Sequence, residues 1–317
     1  MKRVVVTDYT FPNLAQEEAA ARTAGADFAA FQCKTPQAVA EAVKGADVAV
    51  VQFAGFGPEA VAAITPGATV IRYGVGYDNI DVTAVRAAGL KIGYVPDYCA
   101  DEVADHTAAA ALALLRKLPM LDASVRRHEW AAVKICKPMK AFKDSTFGFF
   151  GMGQIGRAVL TRLGGFGFRF IATDPGLDAA QAAALGVTLT DADTLLRTAD
   201  IISLHAPATA ETTGFFNAAR LAKMQPHAML VNSARGQLIV EDDLAAALTA
   251  GTIAGAALDV FGAEPLVASS TLRDAPNLLL TPHAAWYSES AIGRLQGLVA
   301  QDIIRALNGQ GPRKPVP

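Results

Sequence analysis

The chain has 317 residues, 52% of them hydrophobic and 18% charged, with a formal net charge of −2. Such a length and composition suit about two domains with large cores, and exclude intrinsic disorder, collagen-like repeats and the basic footprint of a nucleic-acid-binding surface. The three cysteines, Cys33, Cys99 and Cys136, are odd in number and far apart, which points to neither a disulfide framework nor a metal site.

From the N-terminus, short apolar runs alternate with alanine-rich stretches. "VVV" at Val4 reads as a strand and precedes a helix predicted over 14–24. That first apolar run stops at Thr7 and Asp8, too short for the hydrophobic region of a signal peptide. "DVAVVQF" from Asp47 precedes "PEAVAAI", and "TVIRYGV" from Thr69 precedes "DVTAVRAAG". "KIGYV" from Lys91 leads into a long helix predicted over about 100–126. Its apolar stretch "TAAAALALL" falls far short of the ~20 residues that span a bilayer, so the expectation is a soluble, cytoplasmic protein without membrane contacts. Strand followed by helix, repeated, is the rhythm of a parallel sheet covered on both faces.

Residues 119–143 connect into a second series. "TFGFFG", "FRFIATD", "ADIISLHAP", "HAMLVNSARG", "IAGAALDVF" and "NLLLTPH" read as six more strands, with helical segments between most of them. A last amphipathic helix is predicted over 288–308, and the tail "GQGPRKPVP" is expected to fray. The fold class expected is α/β, with two doubly wound parallel-sheet (Rossmann-like) domains.

The second series opens on "FFGMGQIGRAV", a G-x-G-x-x-G pattern between a strand and a helix. Gly151 permits the tight turn, Gly153 admits a pyrophosphate to the backbone, and Gly156 lets helix and strand pack closely. The unpaired N–H groups and dipole of the helix favour phosphate there. Asp174 ends the next strand, 18 residues beyond Gly156. A carboxylate at that place accepts hydrogen bonds from ribose hydroxyls and repels a 2′-phosphate, so NAD is expected rather than NADP. Three later segments carry polar residues at strand ends, where open α/β sheets bind ligands: Arg235 in "LVNSARGQ", Asp259 and Glu264 in "GAALDVFGAEP", and His283 and Trp286 in "LLLTPHAAWYSE".

"VNSARGQLIVEDDLAAAL", "GAALDVFGAEP" and "NLLLTPHAAW" resemble the signatures of the D-isomer-specific 2-hydroxyacid dehydrogenase family. The resemblance extends to "RYGVGYDNIDV" and "VPDYCADEVADHTAAAALALLR", and is strongest toward the C-terminal-binding-protein branch. It implies a discontinuous substrate domain, 1–99 plus 288–317, flavodoxin-like, and an NAD-binding domain over 100–287, separated by an active-site cleft. It places the catalytic trio on Arg235, Glu264 and His283. A guanidinium can clamp a carboxylate and polarise a carbonyl, and an imidazolium oriented by a carboxylate can donate a proton.

The same match puts substrate contacts at Arg72, Val75, Gly76, Arg235 and Trp286. It puts cofactor contacts at Thr107, Gln154, Ile155, His205, Ala206, Pro207, Thr212, Ser233, Ala234, Asp259, His283 and Ala285, beside the three glycines and Asp174. The implied activity is hydride transfer between NAD(H) and C2 of a small 2-oxo or 2-hydroxy acid, in a homodimer. The alternatives are an NADH-responsive corepressor-like binding protein and an oxidoreductase acting on another small anion such as phosphite. His106, His128 and His227 read as structural, and Cys99 as a neighbour of the site. Two features depart from the family pattern: Phe149 and Phe150 are bulkier than its usual aliphatics, and the segment after Trp130 is the least family-like.

Overall fold

In the computed structural model, which describes residues 1–317, every strand of both sheets runs parallel to its neighbours. The chain divides into two units, Met1–Cys99 with Tyr287–Pro317, and Ala100–Trp286. The first unit begins β1 (Arg3–Val6), α1 (Ala15–Thr23), β2 (Asp27–Ala30), α2 (Pro36–Ala42), β3 (Val48–Val51), α3 (Pro58–Ala63), β4 (Thr69–Arg72), α4 (Val82–Ala87) and β5 (Lys91–Tyr94). Its five strands lie in the order β2-β1-β3-β4-β5. β3 is wholly buried, which is why its sequence is an unbroken apolar run. Two of these helices start on a side-chain cap: Thr35 accepts the Ala38 N–H before α2 and Asp81 that of Ala84 before α4.

The second unit opens on α5 (Ala100–Leu115), α6 (Leu118–Arg126) and α7 (Ala132–Cys136), and continues with β6 (Thr146–Phe150), α8 (Gln154–Leu163), β7 (Arg169–Thr173), α9 (Ala179–Ala184), β8 (Thr188–Leu189), α10 (Ala192–Thr198) and β9 (Ile201–Leu204). It ends with α11 (Ala218–Leu221), β10 (Met229–Asn232), α12 (Glu241–Thr249), β11 (Gly255–Leu258) and β12 (Leu278–Leu280). The sheet order is β12-β11-β10-β9-β6-β7-β8. Strand order reverses between β6 and β9, and the crevice at their carboxyl ends is where such sheets take ligands. The chain returns to the first unit through α13 (Glu289–Leu307), capped by the Ser288 side chain on the Ala291 N–H. No helix is long and apolar enough to cross a membrane.

Three expectations are corrected. The helix predicted over 100–126 is two helices, broken at Lys117 with φ 51, because Pro119 has no N–H for the helical ladder and crowds the preceding turn. The tail is not frayed: the Arg313 guanidinium spans Asp97 at 3.0 and 3.1 Å, Pro315 bridges Gly93, and the Tyr94 N–H reaches the Lys314 carbonyl at 3.0 Å. β2 and β8 escaped the sequence reading, since "DFAA" on a sheet edge and a two-residue strand give no apolar run. The bulk of Phe149 and Phe150 is accommodated by aromatic packing, Phe149 on Phe147 at 4.9 Å and Phe150 on Phe215 at 4.6 Å.

Candidate active site

The glycine turn follows β6. Gly151 has φ 97, and a Cβ there would lie 2.9 Å from the Ala206 nitrogen and the His205 carbonyl carbon. A Cβ on Gly156 would lie 2.9 Å from the Gly151 oxygen, so both positions need glycine for the fit of strand to helix. Gly153 is different: no protein atom lies within 4 Å of its missing Cβ. No side chain caps α8 and no acidic residue sits in its first turn, where Gln154 and Ile155 stand. The turn is thus open on the side where the helix presents N–H groups, and a dinucleotide's pyrophosphate fits it. Asp174, after β7, accepts the Met152 N–H at 2.6 Å and the Gly176 N–H at 2.7 Å. Those bonds hold the carboxylate against the turn and leave lone pairs for ribose hydroxyls.

The loop after β9 walls the turn. The His205 ring bonds Ser203 Oγ at 2.9 Å and lies 5.9 Å from the Phe149 ring. Burial pushes its pKa down to about 3, so the imidazole is neutral. Ala206 and Pro207 follow, and Thr212 closes the loop by donating to the Pro207 carbonyl at 2.6 Å. Across the sheet, buried Thr107 on α5 meets Ser233 at 2.5 Å, joining two residues that the sequence placed near the cofactor.

Arg235 follows β10 beside Ala234. Asn232 fixes that turn, accepting the Ala234 N–H at 3.0 Å and donating to the Arg235 carbonyl at 2.8 Å. At Gly236 a Cβ would collide with the Phe261 carbonyl, so the Arg235 turn abuts the loop that carries Glu264. Glu264 accepts the Phe261 N–H at 2.9 Å and, through its other oxygen, faces His283 Nδ1 at 2.6 Å. Burial raises the pKa of Glu264, but the bonds from His283 and the Phe261 N–H and the nearby charges of His283 and Arg235 outweigh it, leaving the group below its ordinary value. Of the trio, His283 and Glu264 are in contact, and Arg235 is near enough for its charge to act on Glu264.

His283 has φ 51, an uncommon conformation for a residue with a side chain. Asp259 holds it there. Its carbonyl accepts the His283 N–H at 2.8 Å, and its buried carboxylate accepts the Ala284 and Ala285 N–H groups at 2.9 Å each and the Thr281 hydroxyl at 2.5 Å. His106 on α5 joins this set through Thr281 at 3.2 Å. Trp286 is half-buried at the end of the same turn.

Arg72, Val75 and Gly76 belong to the first unit, at and after the end of β4. Gly74 between them has φ 121, and the space its Cβ would take is filled by the Arg72 guanidinium. The sequence reading missed Asn232, Thr281 and Glu241, the last accepting the Gly262 N–H at 2.6 Å. The available signal was a polar residue closing an apolar run, as in "MLVN" and "LLLT".

Residues 108–285 match the family model of the NAD binding domain of D-isomer specific 2-hydroxyacid dehydrogenases. Over 270 residues the chain is 38% identical to a D-3-phosphoglycerate dehydrogenase of Mycobacterium bovis, covering 85% of this chain and 51% of that protein. The chain thus spans about half the length of the curated relatives it matches. Among solved structures, the NAD-complexed D-isomer specific 2-hydroxyacid dehydrogenase of Lactobacillus delbrueckii ssp. bulgaricus aligns over 100% of both chains, with 26% identity and a TM-score of 0.78. A D-lactate dehydrogenase of Treponema pallidum aligns over 99% of both, with 27% identity and a TM-score of 0.80. The chain belongs to the D-isomer-specific 2-hydroxyacid dehydrogenase family, and residues 108–285 are its NAD-binding domain.

Proposed function

We propose that the protein is an NAD-dependent dehydrogenase that interconverts a small 2-oxo acid and the corresponding 2-hydroxy acid, working mainly as a reductase and as a homodimer. The observation that carries this reading is the 2.6 Å contact of His283 Nδ1 with Glu264, at the same sheet edge as Arg235 and the glycine turn. When bound, NADH would supply the hydride that C2 of the substrate takes up. Arg235 holds the substrate's carboxylate through two parallel charge-assisted bonds and polarises the adjacent carbonyl. Negative charge building on the carbonyl oxygen is met by a proton from His283 as imidazolium, and in the reverse direction His283 takes that proton back. Glu264, held ionised, accepts from Nδ1, which fixes the orientation of the ring.

In this reading Arg72 and the N–H groups of Val75 and Gly76 also bind the carboxylate, and Trp286 offers an apolar wall to the rest of the substrate. Thr107, the 205–212 loop, Ser233, Ala234, Asp259 and Ala285 line the cofactor. Arg72 is the main cation of the first-unit motif, which favours a substrate without a phosphate, although the curated relatives include D-3-phosphoglycerate dehydrogenases. The test is a panel of glyoxylate, hydroxypyruvate, 3-phosphohydroxypyruvate and aliphatic 2-oxo acids against NADH and NADPH, with Arg235→Ala and His283→Ala as controls. NADH oxidation by at least one acid, lost in both variants, is expected. No oxidation with any acid, or oxidation untouched by either substitution, overturns the reading.

A further inference from the structure

The first unit buries a carboxyl group that the chemistry above does not use. Glu17 on α1 is 0% exposed. It accepts the Tyr73 hydroxyl at 2.8 Å and Gln296 Nε2 at 3.2 Å, and Gln296 also donates to the Asn13 carbonyl at 2.8 Å. Both donors are neutral, and burying an acid on neutral donors is costly. Burial accordingly pushes Glu17 above its ordinary value despite these bonds. A fully satisfied buried network of this kind fixes one side-chain arrangement where an apolar contact would allow several.

Tyr73 is the residue so fixed. It is 1% exposed and packs edge-on against Phe11 at 5.1 Å. It stands between Arg72 and the turn at Gly74, Val75 and Gly76. Its own N–H reaches the Val51 carbonyl at 2.8 Å, and the Gly74 carbonyl accepts the Val95 N–H at 3.0 Å. With the Arg72 guanidinium lodged over Gly74, a change in the setting of Tyr73 shifts Arg72 and the turn together.

We infer that Glu17 and Tyr73 are positioning residues for the substrate carboxylate, their buried hydrogen bond setting the placement of Arg72 and of the Val75 and Gly76 N–H groups. The inference rests on the proposed substrate role of those three residues. It is tested with Tyr73→Phe, and with Glu17→Gln, which keeps an acceptor for the tyrosine hydroxyl. The measurements are KM and kcat for the best 2-oxo acid of the panel, NADH affinity by fluorescence, melting temperature, and amide hydrogen exchange over 72–80.

Tyr73→Phe is expected to raise KM about five- to tenfold, the equivalent of one net hydrogen bond. kcat and NADH affinity should stay within twofold, with faster exchange at 74–76. Glu17→Gln is expected to produce a smaller rise. Unchanged KM and exchange in Tyr73→Phe overturn the inference, as does a fall in melting temperature and kcat with KM unmoved, the mark of a purely structural residue. If the wild type reduces no 2-oxo acid, the functional reading fails instead, and exchange at 74–76 alone decides whether the pair sets the turn.

Discussion

Two histidine–carboxylate pairs stand at opposite edges of the seven-stranded sheet. At the C-terminal edge His283 meets Glu264 at 2.6 Å; at the N-terminal edge His227 meets Asp200 at 2.5 Å. Their lengths are nearly equal, so length says nothing about their roles. Their surroundings do. The Asp200 carboxylate is buried and also accepts Lys140 Nζ and the Thr146 N–H, each at 2.7 Å. Burial raises Asp200, but those donors and His227 outweigh it and hold it ionised. It clasps the loop before β6 to the start of β9. Glu264 instead has Arg235 as its neighbour, and its histidine sits on a main-chain conformation that costs of order 1 kcal/mol or more and is held by Asp259. A histidine–carboxylate pair becomes a candidate for proton transfer when it stands at the ligand edge beside a cation able to hold an anionic substrate.

The largest expected effect breaks or confirms that contrast. His283→Ala should lower kcat by ~10² or more, while His227→Ala leaves kcat and KM within twofold in a steady-state assay. Equal losses in both would erase the distinction. Arg235→Lys keeps the charge and loses the planar fork, so kcat/KM should fall about 10- to 100-fold; a wild-type value would remove Arg235 from the substrate clamp.

At the other edge, Asp200→Ala should cost about 1–3 kcal/mol of stability, read from the urea midpoint, because it strips partners from a half-buried set of donors. The folded fraction should keep its turnover. The smallest effect sharpens the comparison with a third histidine, His205, bonded to a hydroxyl in place of a carboxylate. Its folded value of about 3 lies below the ordinary 6.5. The associated stability is therefore complete above 6.5 and drains away as pH falls toward 3. Between pH 7 and 5.5 that amounts to about 1 kcal/mol. Denaturation at the two pH values should show this loss in the wild type and a smaller one in His205→Asn.

The buried parallel strands were legible because burial on both faces turns them into continuous apolar runs. So was the glycine turn, whose spacing has a steric reason at Gly151 and Gly156. The helix break at Lys117 was written in Pro119, two residues on, but was overridden by the apolar pattern that continues past it. The pinned tail was hidden because Arg313 and Asp97 are 216 residues apart, and nothing local announces such a partner. At the site, Arg235, Glu264 and His283 stood out as polar residues beyond apolar strands. Asn232 and Thr281 did not, since their task is to bond main-chain and carboxylate groups that only the folded loops bring near. Asp259 reads as a cofactor contact in sequence, yet in the fold its carboxylate already braces the turn of His283.

The absence of a side chain at Gly236 has a practical consequence for altering this protein. Because the turn that bears Arg235 rests directly on the backbone at Phe261, a side chain at 236 would push that turn away from the loop that carries Glu264. On the proposed reading, any substitution at 236 would thus separate the carboxylate clamp from the pair that moves the proton. A library meant to widen substrate scope should therefore leave 235–236, 261–264 and 72–76 untouched and randomise around Trp286, the wall proposed for the rest of the substrate.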